Sequence, residues 1–254
     1  MFKNSLDGEW IVVTGATGYL GSYLLRQLLK TGCNIIELGR NSKSKDSEFH
    51  DDKKGIYRHV FCDFSIDDSI QQALIKTEEI TDKIFGVVHL AVMRDSQSDL
   101  ENYKKTFKKS VANNAQATFL IWEHFSQRMS NTGGGSLVYI SSIYGAVAPE
   151  FSVYDGTAMG TEPDYSFMKS GGVALSKFYA SKYGHLNVRS NSIILGGVYN
   201  NQPKVFVDRY SQRTCLKRMA RPEELVGPCM FLLSSESSYI TGAEIPVDGG
   251  LLSL

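Results

Sequence analysis

The chain has 254 residues, with 27 lysines and arginines balancing 27 aspartates and glutamates, so its formal net charge is zero with histidine neutral. This balance argues against a general nucleic-acid binder, because phosphate contacts require a basic excess. An apolar fraction of 42% and a charged fraction of 21% are typical of a globular protein. The length predicts one α/β domain over residues 1–254.

The first ten residues have no apolar core of the kind found in a signal peptide, and no stretch approaches the roughly 18 apolar residues of a membrane-spanning helix. We therefore expect a cytoplasmic protein that does not bind a membrane. The cysteines are Cys33, Cys62, Cys215 and Cys229. They form no Cys-x-x-Cys pair, so we expect buried reduced thiols and no metal site.

Short apolar runs alternate with longer helical patterns along the chain. The runs are Trp10–Thr14, Asn34–Leu38, Tyr57–Asp63, Gly86–Ala91, Ser136–Ser141, Val188–Leu195 and Glu244–Val247. Consecutive apolar residues in these runs indicate strands covered on both faces, so the pattern predicts a doubly wound, parallel, seven-stranded sheet of the Rossmann type. Ligands of such sheets bind beyond the carboxyl ends of the strands. The polar stretch from Asn41 to Lys54 is predicted to be a surface loop.

A glycine-rich turn, Thr14–Gly21, follows the first strand and precedes a helical pattern. Glycines let the backbone approach phosphates, and the positive end of a helix dipole favours negative charge. This context predicts a dinucleotide pyrophosphate site, with a plain tight turn as the alternative. The predicted cofactor-binding residues of this turn are Gly15, Thr17, Gly18, Tyr19 and Leu20.

The end of the second strand suggests which dinucleotide binds. An acidic residue at this position accepts hydrogen bonds from the ribose in NAD-preferring folds, but Glu37 comes about two residues too early. Arg40 stands near the strand end, with Lys43 and Lys45 following. Guanidinium and ammonium groups suit a ribose 2′-phosphate, so we predict that NADP(H) is preferred and NAD(H) possible. The alternative is a solvated basic loop.

Three further residues predict acid–base chemistry. Ser142 follows the fifth strand, and Tyr165 and Lys169 are four residues apart on a predicted helix, so they share one helix face. A neighbouring ammonium favours the phenolate form of a tyrosine. The Tyr-x-x-x-Lys spacing alone is weak, and it gains weight from the serine-ended strand and the glycine turn.

Together these motifs resemble the short-chain dehydrogenase/reductase family over nearly the whole chain. The resemblance implies hydride transfer between nicotinamide and a carbonyl or alcohol carbon, with Tyr165 as acid or base. It also implies that Lys169 holds the nicotinamide ribose, that Ser142 binds the substrate oxygen and that Asn114 anchors a water for proton relay. Asp63 would lie beside the adenine. The remaining cofactor residues that it implies are Phe64, Ala91, Gly197 and Val198.

Some motifs depart from the family pattern. His89-Leu90-Ala91-Val92 replaces the usual Asn-Asn-Ala-Gly, and Leu195 replaces the usual proline after strand six. The glycine spacing and the His-Leu-Ala run are typical of the nucleotide-sugar epimerase and dehydratase branch. Only residues 248–254 follow the last predicted strand, so we expect no room for that branch's substrate domain. His89 is interpreted as a hydrogen-bonded core residue.

The segment Tyr144–Glu162 is about ten residues longer than is usual between the serine and the tyrosine, so we expect it to shape specificity. With residues 197–203 it resembles bacterial reductases linked to flagellin glycosylation and nonulosonic-acid sugars, which implies a sugar or sugar phosphate. Candidate sugar-binding residues are Tyr154, Asp155, Thr157, Tyr199, Asn200, Asn201 and Gln202. Five cations would meet a phosphate in one interpretation and form the solvated face of a lid helix in the other; they are Lys204, Arg209, Arg213, Lys217 and Arg218.

The leading hypothesis is therefore an NAD(P)-dependent oxidoreductase acting on a small molecule, a sugar or sugar phosphate in a surface-glycan pathway. Two alternatives stay open: a non-redox epimerase or dehydratase that retains its cofactor, and a cofactor-binding protein without catalysis. The resemblance implies a homodimer or homotetramer. The apolar segment Ala115–Phe125 belongs either to the core or to an interface.

Overall fold

A computed structural model describes residues 5–41, 54–93 and 100–254. Its strands are β1 (Trp10–Thr14), β2 (Asn34–Gly39), β3 (Tyr57–Phe61), β4 (Gly86–His89), β5 (Gly135–Ile140), β6 (Val188–Leu195) and β7 (Glu244–Val247). All neighbouring strands are parallel, in the order β3-β2-β1-β4-β5-β6-β7. The predicted doubly wound sheet is confirmed.

Helices cover both faces of this sheet. They are α1 (Tyr19–Lys30), α2 (Asp67–Ile80), α3 (Leu100–Ser110), α4 (Ala117–Asn131), α5 (Pro163–Tyr183), α6 (Lys204–Gln212) and α7 (Val226–Leu233). A π-helical segment, Val111–Gln116, joins α3 to α4. Helix α5 begins with Pro163, whose fixed φ suits the first helical position and whose missing N–H would have no helical partner there.

The core has two layers, one on each side of the sheet. Val12 packs in one layer with Trp122 and Phe125 of α4, whereas Val13 packs in the other with Leu24 and Leu28 of α1. Because successive strand residues point to opposite faces, both layers draw apolar side chains from a single strand. This explains why the strands read as continuous apolar runs.

The strand order reverses between β1 and β4, and this switch point fixes where a ligand can enter. The chain builds β1, β2 and β3 outward in one direction and then crosses over to place β4 on the other side of β1. Connections therefore leave β1 and β4 in opposite directions and open a crevice at their carboxyl ends. Strands β3 and β4 each end two residues before the predicted limit, because the backbone leaves the sheet to form the crevice walls.

Three other expectations concern the surface. Cys33, Cys62 and Cys229 are buried as predicted, but Cys215 is exposed, so the prediction was wrong there. Cys215 follows α6 on the protein surface, where its thiol donates to the Gly250 carbonyl (3.2 Å). Most of the predicted loop at Asn41–Lys54 lies outside the described residues. Within the described ranges, no helix combines the length and the apolar character needed to cross a bilayer.

Candidate active site

A cleft of about 920 Å³ lies at the carboxyl ends of the strands and gathers almost all of the predicted site residues. Those that line it are Gly15, Thr17, Gly18, Tyr19, Leu20, Arg40, Asp63, Phe64, Ala91, Ser142, Tyr165, Lys169, Gly197 and Val198. Asn114 is absent from this lining, although Asn113 is part of it. Residues separated by as much as 183 positions in the sequence thus share one cavity.

The glycine turn fits a phosphate group. A Cβ added at Gly15 would lie 2.8 Å from the Ala91 nitrogen, and one added at Gly21 would lie 2.1 Å from the Gly15 carbonyl oxygen. Gly15 also has a φ of +72°, which side chains disfavour. The first turn of α1, all of it described, has no acidic residue. Its amides and dipole are therefore available for an anion such as a dinucleotide pyrophosphate.

The far end of the cleft carries charged groups. Arg40 and Asp63 both line it. Hydrogen bonds from the Ser65 hydroxyl and N–H (2.7 and 2.9 Å), with a smaller effect of Arg40, hold the pKa of Asp63 below its usual value. Glu37 is fully buried and accepts a hydrogen bond from the Tyr57 hydroxyl, so it does not line the cleft. Lys43 and Lys45 lie outside the described residues.

Tyr165 and Lys169 come together in the middle of the cleft. Both lie on α5, and the Lys169 Nζ is 5.8 Å from the Tyr165 ring centre. Lys169 is buried, and its ammonium donates a 2.6 Å hydrogen bond to the Ile140 carbonyl at the end of β5. This bond directs the charge toward the cleft beside the tyrosine.

The strand-ending serines have different roles in the packing. The Ser141 hydroxyl donates to the Lys169 carbonyl (3.0 Å), which fastens β5 to α5. Ser142 lines the cleft, and its oxygen accepts the Tyr144 N–H at 3.2 Å. The Ser142 hydroxyl proton can therefore point toward a substrate oxygen in the cleft.

Asn114 lies in the π-helical segment and faces the backbone of Met93. Its amide oxygen accepts the Met93 N–H (2.8 Å), while its amide nitrogen donates to the Met93 carbonyl (3.0 Å) and to Ser110 Oγ (3.1 Å). Met93 itself lines the cleft. The side chain of Asn114 thus holds a wall of the cavity in place.

His89 is the hydrogen-bonded core residue that the sequence predicted. It is 2% exposed, and its two ring nitrogens lie 2.8 Å from Thr14 Oγ1 and 3.0 Å from Thr118 Oγ1. Burial, with a smaller effect of the Lys169 charge, lowers the pKa of His89 to about 3. The imidazole is consequently neutral at physiological pH.

Aromatic side chains line the end of the cleft beyond Tyr165. Tyr154 packs against Phe206 (ring centres 5.4 Å apart), and Phe206 stacks on Tyr210 (5.9 Å). The hydroxyls of Tyr144 and Tyr154 are 2.7 Å apart. The sequence interpretation missed Phe206, Tyr210 and Met219; the spacing of four residues between the two rings on α6 was the available signal.

The predicted sugar-binding residues divide into two groups. Tyr154, Asn200 and Gln202 line the cleft, while Asp155, Thr157, Tyr199 and Asn201 do not. Gln202 is partly engaged, because its amide donates to the Val198 carbonyl (2.8 Å) and accepts the Asn200 N–H (2.7 Å). Polar groups from this loop therefore reach the cavity at two residues.

The five cations of residues 204–218 make contacts within the protein. Arg209 donates to the carbonyls of Ser152 (3.2 Å) and Asp155 (2.5 Å), and Arg213 pairs with Glu150 (2.6 Å). The other contacts are Lys204–Asp208 at 2.5 Å, Lys217 to the Gln212 carbonyl at 2.7 Å and Arg218–Glu224 at 2.7 Å. None of the five lines the cleft as the described residues outline it. Arg209 and Arg213 fasten the lid helix α6 to the segment Tyr144–Glu162.

Comparison with known proteins agrees with this geometry. A family model described as Enoyl-(Acyl carrier protein) reductase matches residues 20–252. The chain is 27% identical to the post-translational flagellin modification protein A of Campylobacter coli, over 96% of this chain and 98% of that protein. It is 28% identical to the L-rhamnose 1-dehydrogenase (NADP(+)) of Thermoplasma acidophilum, over 96% of each chain.

A solved structure is also similar. The short chain dehydrogenase of Leptospira borgpetersenii, crystallised with bound NAD+, superposes with a TM-score of 0.88 at 25% identity, covering 99% of this chain and 95% of that one. The family model matches residues 20–252, and the structural superposition covers 99% of this chain. The protein therefore belongs to the short-chain dehydrogenase/reductase family of NAD(P)-dependent oxidoreductases.

Proposed function

We propose that this protein is a dehydrogenase or reductase that acts on a hydroxyl or carbonyl group of an uncharged, polyhydroxylated substrate such as a sugar. The observation that carries the proposal is the convergence of the glycine turn, Ser142, Tyr165 and Lys169 in one cleft, next to an aromatic wall. Aromatic faces with a few polar groups suit the apolar faces and hydroxyls of a sugar ring. The relatives whose names include a sugar dehydrogenase and a flagellin modification protein support a carbohydrate substrate.

Each cleft residue has a chemical role in this proposal. A bound nicotinamide cofactor would supply or accept the hydride. In the direction of reduction, Tyr165 gives its hydroxyl proton to the carbonyl oxygen, and the Lys169 ammonium beside it stabilises the phenolate that remains. The Ser142 hydroxyl donates to the same oxygen, and Asn114 keeps the wall at Met93 in position.

The substitution Tyr165→Phe tests these roles. It removes one oxygen, so the variant should fold and bind NADPH as the wild type does, and it should lose nearly all turnover, by about 1,000-fold or more. The absorbance of the reduced nicotinamide, followed with a panel of keto-sugars and sugar alcohols, measures this. Near-normal turnover would refute the assignment. An epimerase would show no net cofactor oxidation in the same assay.

We also propose that NADP(H) is preferred over NAD(H). Arg40 at the far end of the cleft supports this, and so does the burial of Glu37 away from it. Arg40→Ala should lower kcat/KM for NADP(H) by about tenfold and change the NAD(H) value little, because only NADP(H) carries a phosphate on the adenine ribose. A wild-type preference for NAD(H) contradicts the proposal.

The lid contacts support an uncharged substrate over a phosphorylated one. The basic side chains of α6 and the loop after it are engaged with Glu150, Asp208, Glu224 and backbone carbonyls, away from the cleft. Among the described residues, the cations that line the cleft are Arg40, Lys109 and Lys169, and none of them comes from α6 or the loop after it. A phosphate in the aromatic end of the cavity would therefore leave water without a cation of the lid beside it, which is unfavourable. A neutral keto-sugar should therefore give a higher kcat/KM than its phosphate ester, and the reverse order would refute this part of the proposal.

Finally, we propose that the chain forms a homo-oligomer through α4 and α5. Within the predicted segment Ala115–Phe125, Trp122 and Phe125 are buried in the core, but Phe119 is 46% exposed. Phe167 and Phe178, eleven residues apart and thus on one face of α5, are also exposed. An apolar face of this kind favours self-association. Phe178→Asp should lower the molar mass measured by light scattering, and an unchanged mass would contradict the proposal.

A further inference from the structure

His89 connects two walls of the cleft through a chain of hydrogen bonds whose direction can be worked out. Thr118 Oγ1 donates its single proton to the Asn114 carbonyl oxygen at 2.6 Å. It must therefore accept from His89, so the imidazole proton is on Nε2. The other nitrogen, Nδ1, then accepts the Thr14 hydroxyl proton, and Thr14 Oγ1 accepts the Ala91 N–H at 3.1 Å. Each buried proton in this chain has one acceptor.

The two ends of the hydrogen-bond chain lie at parts of the cleft that come from different elements. Ala91 lines the cavity and touches the glycine turn, since a Cβ on Gly15 would approach its nitrogen. At the other end, the residue whose carbonyl accepts the last proton, Asn114, holds Met93 by two hydrogen bonds. Both Met93 and Asn113 line the cavity. The chain of hydrogen bonds therefore spans from the glycine turn to the π-helical wall.

The packing around the imidazole keeps this arrangement in one state. His89 stacks on the Tyr139 ring (centres 6.0 Å apart) and meets Trp122 edge-on (5.8 Å). The Lys169 ammonium lies 5.2 Å from the centre of the same Tyr139 ring. A protonated imidazole beside that fixed charge would be destabilised, and its Nδ1–H would force the Thr14 hydroxyl proton to turn to another acceptor. A neutral ring with a fixed tautomer is the stable arrangement.

We propose that His89 is a positioning residue of the cofactor cleft, which holds the glycine-turn wall and the Asn114 wall at the separation that a bound dinucleotide requires. The role rests on the proposed function, because the cleft is taken to bind NAD(P)H. It assigns a task to the histidine that replaces asparagine in the strand-four motif. Because the ring that holds the two walls is rigid and uncharged, the walls keep their positions around the ligand, and no charge changes near Tyr165.

Thr118→Val and Thr118→Ser test the proposal. Valine keeps the shape of threonine but removes both hydrogen bonds, whereas serine keeps them. We expect Thr118→Val to weaken the binding of NADPH, measured by its fluorescence, by about tenfold, because of the two lost bonds only the one from His89 joins the two walls. Thr118→Ser should bind NADPH within about twofold of the wild type. With a carbonyl substrate that the wild type reduces, kcat should fall more in Thr118→Val than in Thr118→Ser.

Thr77→Val is the matched control. Thr77 is equally buried, and its hydroxyl also donates at 2.6 Å to a helix carbonyl, that of Leu74, but it lies on α2 outside the cleft lining. It should lose thermal stability, as Thr118→Val should, with no change in NADPH affinity. If Thr118→Val binds NADPH as the wild type does while losing that stability, the proposal is overturned.

A second pair of variants decides the question if Thr118→Val is recovered in too small an amount. His89→Gln places an amide that can donate to Thr118 and accept from Thr14, whereas His89→Met can do neither. Glutamine should restore NADPH affinity relative to methionine, and equal affinities would overturn the proposal. If the wild type binds NADPH but oxidises or reduces no sugar, the proposed function fails alone, because the affinities still decide the role of His89.

Discussion

Gly21 is the position in the cofactor turn where a side chain has the least room. A Cβ there would lie 2.1 Å from the Gly15 carbonyl oxygen and 2.6 Å from the Cα of Ala16. Ordinary contacts begin at 3.4 Å, so Gly21→Ala must push the oxygen away by the difference between 3.4 and 2.1 Å, which is about 1.3 Å. Both atoms belong to the backbone, so no side-chain rotation can relieve the contact.

The displaced atoms form the turn that would surround the pyrophosphate. A misplacement of about 1 Å in a binding or reacting group typically costs on the order of 100-fold, which corresponds to about 2.7 kcal/mol of binding free energy. We therefore expect Gly21→Ala to raise the Kd for NADPH about 100-fold in a fluorescence titration. Far-ultraviolet circular dichroism and thermal unfolding would establish that the variant is folded.

Gly227→Ala is the control for this substitution. Gly227 lies inside α7, and an added Cβ there meets no atom within 4 Å. Alanine favours a helix over glycine by about 1 kcal/mol, so this variant should be slightly more stable and bind NADPH unchanged. If Gly21→Ala is folded and binds NADPH with wild-type affinity, the glycine turn is not the phosphate site, and the reasoning from close approach is wrong.

Three further predictions follow from single contacts. Tyr19→Phe removes the 2.7 Å bond from the Tyr19 hydroxyl to the Tyr199 carbonyl, which joins the glycine turn to the loop after β6; NADPH should dissociate about tenfold faster in stopped flow, and an unchanged rate would contradict this. Arg189→Met removes the charged donor to the carbonyls of Leu232 and Ser234 at the end of α7 (2.9 and 3.0 Å), which then keep only serine donors; urea unfolding should show a loss of about 2–3 kcal/mol, and a loss below about 1 kcal/mol would refute it. Burial lowers the pKa of His89 from 6.5 to about 3, so the unfolded chain binds a proton that the folded chain does not. The free energy of unfolding should fall as pH drops from 6.5 toward 3, by up to about 1.4 kcal/mol per pH unit, and His89→Gln should fall less steeply; parallel curves would exclude the effect.

The fold could be predicted because the physical reason for its strands is local in sequence. A strand covered on both faces needs apolar residues at consecutive positions, as at Ile11–Val13, and this pattern is visible without any knowledge of the partners. The ends of β3 and β4 could not be predicted to the residue. After β4, the backbone leaves the sheet where the Ala91 N–H donates to the Thr14 hydroxyl and not to a neighbouring strand. No local signal in the sequence marks that point.

The candidate site was predictable to the extent that its parts are short motifs. The spacing of the glycines after β1 identifies the cofactor turn. The spacing of four residues between Tyr165 and Lys169 places both on one face of α5. The substrate end was not predictable in the same way. The position of Phe206 in the cleft depends on how α6 packs on the preceding segment, and Arg209 fastens that contact through carbonyls 54 and 57 residues away.

By itself, the sequence determined the class of fold, the position of the cofactor turn and the residue types available for proton transfer, because each depends on neighbours within a few positions. Only the tertiary structure decided what Asn114 and His89 hold. The partners of His89 are 75 and 29 residues away along the chain, and the proton of the imidazole is placed by the single proton of Thr118. A hydrogen bond depends on distance and direction in space, and these quantities exist only once the elements have packed.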